Sequence, residues 1–172
     1  MALTDAQKDF IVTLSAMGAY WTRKYDLPVA GMVGCACAET SCGTKGAYLK
    51  TGCPFNLQKP SQWEWPKCRI LTNETNTARI GLKGVIAPFC VADDLGDAAR
   101  IFCEWVIYYP NKGAREALLR FRSNAKEFAR NLPKVAFGAP LPGKPPGSQG
   151  DEYAAMVDTV SPYIPFALVG GP

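Results

Sequence analysis

The sequence contains no histidine. That absence excludes Ser-His-Asp and Cys-His nucleophilic catalysis, and with them zinc sites built on imidazole. Any catalysis has to run on carboxylates, tyrosine, lysine, or a cysteine activated by some other group. No C-x-x-C pair occurs among the seven cysteines, which weighs against a four-thiolate zinc site. No apolar run approaches the roughly 20 residues of a membrane span. The opening MALTDAQKDF lacks the basic-then-apolar layout of a secretory signal, so export is expected by a signal-independent route or after processing. No internal repeat is visible. Charge is modest: 20% of residues are charged, and the net charge is +4. A mild basic bias suits a polyanionic partner such as a cell wall, and it equally suits plain solubility.

What is present points to one domain over residues 1–172, with 48% hydrophobic residues and enough chain to bury a core. Cys35, Cys37, Cys42, Cys53, Cys68, Cys90 and Cys103 are too many for casual core filling. Disulfides formed in an oxidising compartment are the expected reading, and the odd count leaves at least one thiol over. A bond within the central insertion, or tying it to the helices, is expected. Cys53–Cys68, closing a loop of about 15 residues, is the first guess.

Thr4 and Gln7 form a capping box that opens a helix running to Lys24, with Phe10, Leu14, Met17 and Trp21 on one face. Pro28 suits the first turn of a second helix that runs into Glu39 and stops at Gly43. From 46 to 90 the texture changes to Gly, Pro, Asn, Thr and Trp. Short strands are expected there, at Ile70-Leu71 and at Ala78-Arg79-Ile80. Helices then return. Asp93 or Asp94 caps one that ends at Pro110, with Ala98, Ile101, Phe102, Trp105, Val106 and Tyr109 on its apolar face. A second spans 114–131 with Leu118, Phe121, Ala125 and Phe128, and a third covers Tyr153 to Val160. Between them GAPLPGKPPGSQGD reads as a surface loop, and 162–172 as a C-terminal tail. The fold class is α+β: a mainly helical domain with a small β-containing lobe inserted after the second helix.

One stretch carries chemistry. In CACAETSCG a single acid, Glu39, stands among small residues at the end of an apolar helix. It follows Met32 and Ala36 by seven and three residues, so it shares their helix face. A carboxyl at the edge of an apolar face loses hydration, which favours its protonated form. A protonated carboxyl is what a glycosidase uses to protonate a departing sugar oxygen. The alternative is that Glu39 reaches solvent at the helix end.

Ala36-x-x-Glu39-Thr40-x-x-Gly43 resembles the A-x-x-E-[ST]-x-W-G motif of the glucosaminidase family of peptidoglycan hydrolases, glycoside hydrolase family 73. Phe55-Asn56-Leu57 with Lys59 resembles that family's N-L-F-G-x-K run. Thr72-x-Glu74 resembles its T-x-E, and Tyr153-Ala154 its second Y-A. The similarity runs in order from about residue 8 to 163. It departs at Cys35, where the family commonly has Gln, and at Cys42, where it has Trp. Val135-Ala136-Phe137-Gly138 supplies no tyrosine for the G-Y-A-T-D-P motif, so Tyr153 stands in only if the long loop before it folds back.

The resemblance implies a lysozyme-like scaffold on which Glu39 is the general acid and Glu74 the base or stabilising group, with Glu64 competing for that second role. Asn56 and Tyr153 are the implied substrate-binding residues. Trp63 and Trp65 either stack on sugar rings or fill the small core of the lobe. Asp93 and Asp94 read as a helix cap rather than as catalytic groups. The implied activity is cleavage of β-1,4 bonds between N-acetylglucosamine and N-acetylmuramic acid, with no cofactor or metal. The implied partner is the peptidoglycan glycan strand, not nucleic acid or membrane. A lone domain whose cysteines suit an oxidising destination resembles the type VI secretion glycoside hydrolase effectors. Those act in the periplasm of a target bacterium and are blocked by a cognate immunity protein. The competing reading is a disulfide-stabilised binding module for glycan or protein, without catalysis.

Overall fold

The structure, a computed structural model, describes residues 2–46, 48–59, 62–71, 88–135 and 148–169. Its elements in chain order are α1 (Asp5–Lys24), α2 (Val29–Thr40), α3 (Tyr48–Thr51), β1 (Arg69–Leu71), β2 (Phe89–Val91), α4 (Leu95–Ile107), α5 (Lys112–Leu119), α6 (Ala125–Val135), α7 (Ser148–Val160), a 3-10 turn (Ser161–Tyr163) and α8 (Phe166–Val169). This is the expected mainly helical α+β fold with a small β element after the second helix.

α1 begins where the sequence places it. Thr4 accepts from the Gln7 amide, and the Gln7 side chain accepts from the Thr4 amide, so two orphan donors at the helix start are satisfied. Its buried face is rotated from the expected one. Phe10, Ile11, Leu14, Gly18 and Thr22 are buried, Trp21 is half-buried, and Met17 is exposed. Gly18 explains the rotation. A Cβ there would lie 3.1 Å from that of Ala99, so α4 approaches α1 at its smallest residue and not along its largest ones.

α2 is the central helix: every residue but Ala38 is buried. Its glycines let neighbours come close. A Cβ on Gly34 would stand 2.8 Å from Val157 on α7, and one on Gly31 would stand 2.9 Å from Phe128 on α6. Phe55, Phe102, Phe128, Ile11, Leu14 and Leu132 complete the core. Each such fully buried side chain contributes about 1.5–3 kcal/mol relative to exposure.

β1 and β2 pair antiparallel with Ile70 opposite Cys90. Ile70-Leu71 thus lies in a strand as expected, whereas Ala78-Arg79-Ile80 lies outside the described residues. β2 escaped the sequence reading because three residues, FCV, carry no readable period. The other side of β2 holds residues 51–59, at the start of the lobe. Cys90 N donates to Leu57 O (2.9 Å), Lys59 N to Pro88 O (2.8 Å), and Ala92 N to Thr51 O (2.9 Å).

Asp94 caps α4 by accepting from the Asp97 amide (2.7 Å). The helix expected over 114–131 is two helices. The Asn124 side chain accepts from the Glu127 amide (3.0 Å) and starts α6 afresh, and α6 continues to Val135. α7 begins at Ser148, so the last four residues of the expected loop are helical. In the expected tail, Ile164 is buried against the core. No described helix is long and apolar enough to cross a membrane.

Candidate active site

Glu39 sits in the last turn of α2 with 7% of its surface exposed. An unusual turn ends the helix just beyond it. Ser41, Cys42 and Gly43 take φ values of 51°, 54° and 79°, three left-handed residues in a row. Thr40 holds them. Its buried hydroxyl donates to Ala36 O (2.7 Å) and accepts from Gly43 N (2.8 Å). Its carbonyl accepts from Thr44 N and Lys45 N. Gln7 Nε2 donates to Ser41 O (3.1 Å), pinning the turn to the start of α1. Only glycine fits at 43, because a Cβ there would lie 2.4 Å from the Phe10 ring. The helix therefore stops at Ser41, two residues before the expected stop, and Gly43 closes the turn.

Among the described residues, three side chains converge on the Glu39 carboxyl. Asn56 Nδ2 donates to Oε2 (2.9 Å), the Tyr153 hydroxyl donates to Oε1, and Gln149 Nε2 donates to Oε1 (3.4 Å) and to the Tyr153 oxygen (3.2 Å). Helix packing produces the last two contacts. α7 runs antiparallel to α2, with Val157 against Gly34 and Tyr153 against Glu39. Gln149 is four residues before Tyr153 and so shares its face. Asn56 arrives from the segment laid along β2, at φ 48°, a left-handed conformation that asparagine tolerates. Its Oδ1 is buried without a hydrogen-bond partner among the described residues.

Among the sequence candidates, the structure thus brings Glu39, Asn56 and Tyr153 together, while most of the long loop before Tyr153 lies outside the described residues. Gln149 was missed because its stretch read as loop. A helical reading of SQGDEY would have put it one turn from Tyr153. Glu74 lies outside the described residues.

Trp63 and Trp65 do not join the Glu39 cluster. Trp63 packs edge-on against Tyr109 (5.4 Å between ring centroids) and beside Trp105 (6.1 Å), and Trp65 stacks on Tyr108 (4.8 Å). Tyr108 also meets Tyr25 at the far end of α1. The stretch of α1 from Gln7, which is bonded next to Glu39, to Tyr25 is about 27 Å long at 1.5 Å per residue. Both tryptophans are half-buried in these aromatic contacts. Glu64 lies exposed beside them, paired with Lys67. Lys59 donates to the Glu64 and Pro66 carbonyls. Asp94 is a cap and Asp93 pairs with Arg69.

An ion-pair cluster within α4 holds the lobe through the Lys67 backbone. Arg100 binds Glu104 (2.7 Å), Asp97 (2.8 Å) and the Lys67 carbonyl (2.7 Å), and Glu104 is 5% exposed. All seven cysteines are thiols in the structure. The expected Cys53–Cys68 pairing is replaced by a different contact: the Cys68 and Cys90 sulfurs lie 2.8 Å apart. Cross-strand geometry, invisible in linear spacing, decides this. Cys37 and Cys42 also hydrogen-bond across the left-handed turn, a bond that pushes the Cys42 thiol down and the Cys37 thiol up. Among the described residues no group of three or more Cys, Asp or Glu is arranged to hold a metal ion.

No protein-family model matches the sequence, and no curated protein matches it by sequence. Solved structures match by shape. A peptidoglycan hydrolase from Sphingomonas sp. A1 superposes with a TM-score of 0.65 at 17% identity, covering 96% of this chain and 97% of that one. A truncated glycoside hydrolase domain of Salmonella typhimurium FlgJ gives 0.58 at 16% identity, over 91% and 98% of the two chains. A chain from a type VI secretion effector–immunity complex of Pseudomonas protegens gives 0.54 at 16% identity, over 91% and 94%. The chain therefore has the fold of these glycoside and peptidoglycan hydrolase domains, the fold that its motif resemblance implies.

Proposed function

We propose that the protein is a peptidoglycan glycosidase that cleaves β-1,4 bonds between N-acetylglucosamine and N-acetylmuramic acid, with Glu39 as its general acid. One observation carries this reading. A single, largely buried carboxyl at the end of the central helix is held by Asn56, Gln149 and Tyr153, side chains from two separate parts of the chain. Fixed orientation is what proton transfer to a glycosidic oxygen requires. Glu39 protonates that oxygen as the C–O bond breaks, and Tyr153 and Gln149 keep Oε1 occupied so that the carboxyl does not swing. Asn56 Nδ2 holds Oε2 in the same way.

The positive charge that develops on the sugar needs a partner. Glu74 takes that role by resemblance, and the substrate's own N-acetyl group can share it.

We further propose that the protein acts as an antibacterial effector in the periplasm of a target cell, held in check by an immunity protein that plugs the Glu39 cleft. Likeness to a chain from an effector–immunity complex supports that reading.

Mass spectrometry of purified sacculi after digestion tests the activity. The expected products are disaccharide-peptides with a new reducing end, whose sugar identifies the bond. Sacculi that release no such fragments would overturn the glycosidase reading.

A further inference from the structure

The Cys68 and Cys90 sulfurs, 2.8 Å apart, are nearer than non-bonded sulfurs rest, and their surroundings explain why they meet. Ile70 faces Cys90 across the antiparallel pair. Side chains alternate along a strand, so Cys68, two residues before Ile70, emerges on the same face as Cys90 and diagonal to it. The two thiols differ in access. Cys68 is half-buried, with its thiol pushed down by the hydrogen bond to Cys90 and by nearby Lys59 and Arg100, against the opposing effect of burial. Cys90 is 1% exposed. Burial pushes the thiol of Cys53 up, and the hydrogen bond to Cys68 together with burial does the same to Cys90, so acidity does not choose between them. Contact does, because it is the Cys90 sulfur that lies 2.8 Å from Cys68.

We infer that Cys68 and Cys90 are a redox staple: a disulfide donor oxidises them, and the resulting bond locks the strand that carries the Asn56 segment. The donor is a dithiol oxidoreductase in its disulfide form, or oxidised glutathione. The Cys68 thiolate attacks the donor disulfide and releases one donor thiol, leaving a mixed disulfide. Cys90 then gives up its proton and attacks the Cys68 sulfur, releasing the second donor thiol. Two protein thiols lose two electrons and two protons, and one donor disulfide gains both.

The staple reaches the Glu39 site through hydrogen bonds. β2 is bonded to β1 along one edge and to residues 57–59 along the other, through Cys90 N to Leu57 O and Lys59 N to Pro88 O. Asn56 directly precedes that segment. A covalent tie at Cys90 therefore limits opening of the backbone that sets Asn56 against Glu39.

The full chain is equilibrated with oxidised or with reduced glutathione, blocked with an alkylating reagent, and digested with trypsin. Tryptic cleavage falls after Lys67, Arg69 and Lys83, so Cys68 and Cys90 leave on separate peptides, and so does Cys53. The expected product of the oxidised sample is the Cys68 peptide linked to the Cys90 peptide. Oxidation should also raise the melting temperature by about 5–10 °C, the scale for a disulfide closing a loop of this size. Amide hydrogen exchange at Lys59 and Cys90 should slow by at least about tenfold. Cys68→Ser, at a half-buried position, should abolish both the shift and the slowing. A Cys68 thiol that stays free, or that links to Cys53, overturns the inference. Equal exchange at Lys59 in the two redox states overturns the coupling to the Asn56 segment. None of these readouts uses wall lysis, so they stand whether or not the glycosidase reading holds.

Discussion

The Tyr153 hydroxyl on α7 donates a hydrogen bond to the Glu39 carboxyl at the end of α2, joining residues 114 positions apart. Backbone packing sets the contact. Gly34 lets Val157 settle against α2, and one turn away that leaves Tyr153 facing Glu39. The acid is thus held by the helix–helix interface itself, and each residue of that arrangement can be tested.

Glu39→Gln keeps the shape and most hydrogen bonds but cannot donate a proton. Lysis of sacculi should fall by at least about 100-fold, the scale of general-acid catalysis. The melting temperature should change little. Wild-type lysis by this variant would remove Glu39 from the mechanism.

Tyr153→Phe removes one hydroxyl from a fully buried ring. Stability should fall by about 1–3 kcal/mol, because the hydroxyl both donates to Glu39 and accepts from Gln149. The loss of lysis should lie in kcat, by about tenfold, with KM unchanged, as expected of a hydroxyl that acts through its hydrogen bond to the acid. A change confined to KM would make Tyr153 a substrate contact instead.

Asn56→Gly keeps the left-handed backbone accessible while deleting the amide. The variant should fold, with a stability loss of about 1 kcal/mol. Lysis should drop at least tenfold, as about 1.4 kcal/mol of positioning is lost. A variant that lyses walls normally would show that the Nδ2 bond to Glu39 does not matter.

Gly43→Ala and Gly113→Ala should move stability in opposite directions. At 43 the backbone is left-handed and the new Cβ meets the Phe10 ring, so a loss of about 2–3 kcal/mol is expected. At 113, within α5, only the Asn111 side chain lies near among the described residues, at 3.7 Å. Alanine there should gain up to about 1 kcal/mol through helix propensity and a less flexible unfolded chain. Chemical denaturation compares the two, and equal effects would contradict the geometry of the turn after Glu39.

Alkaline pH should weaken the fold through Tyr25. Burial, with Tyr108 and Glu104 beside it, pushes its phenol up to about 12 from an ordinary 10.0. The unfolded chain loses that proton first, so the contribution is whole below pH 10 and is lost as pH rises toward 12. Tyr25→Phe should flatten this part of the stability profile. An unchanged slope between pH 10 and 12 would show that Tyr25 ionises alike in both states.

Local chemistry made parts of this protein legible from sequence. The Thr4–Gln7 box, the Asp94 cap and the end of α2 depend on neighbours within a turn, and each stands within a residue or two of where the sequence puts it. The order of helices and the position of the small lobe follow from the same local signals. Glu39 stood out because one acid among small apolar residues is a contrast that any folding must resolve. The break at Asn124 was hidden because the apolar spacing on either side runs on in phase, and only the side chain that caps α6 interrupts it.

Tertiary structure decided the rest, for a physical reason: contacts across the chain depend on how closely backbones approach, and linear spacing does not encode that distance. Gly18 and Gly34 set two of those approaches and so rotated the face of α1 and placed Tyr153. Cysteine partners depend on strand register, which pairs Ile70 with Cys90 and brings Cys68 to Cys90 rather than to Cys53. Gln149 gained its place at the acid from the earlier start of α7, while Trp63 and Trp65 found aromatic partners on and beside the end of α4. The sequence alone settled which residue types the chemistry could use; the packing of α2 against α7 settled which of them reach Glu39.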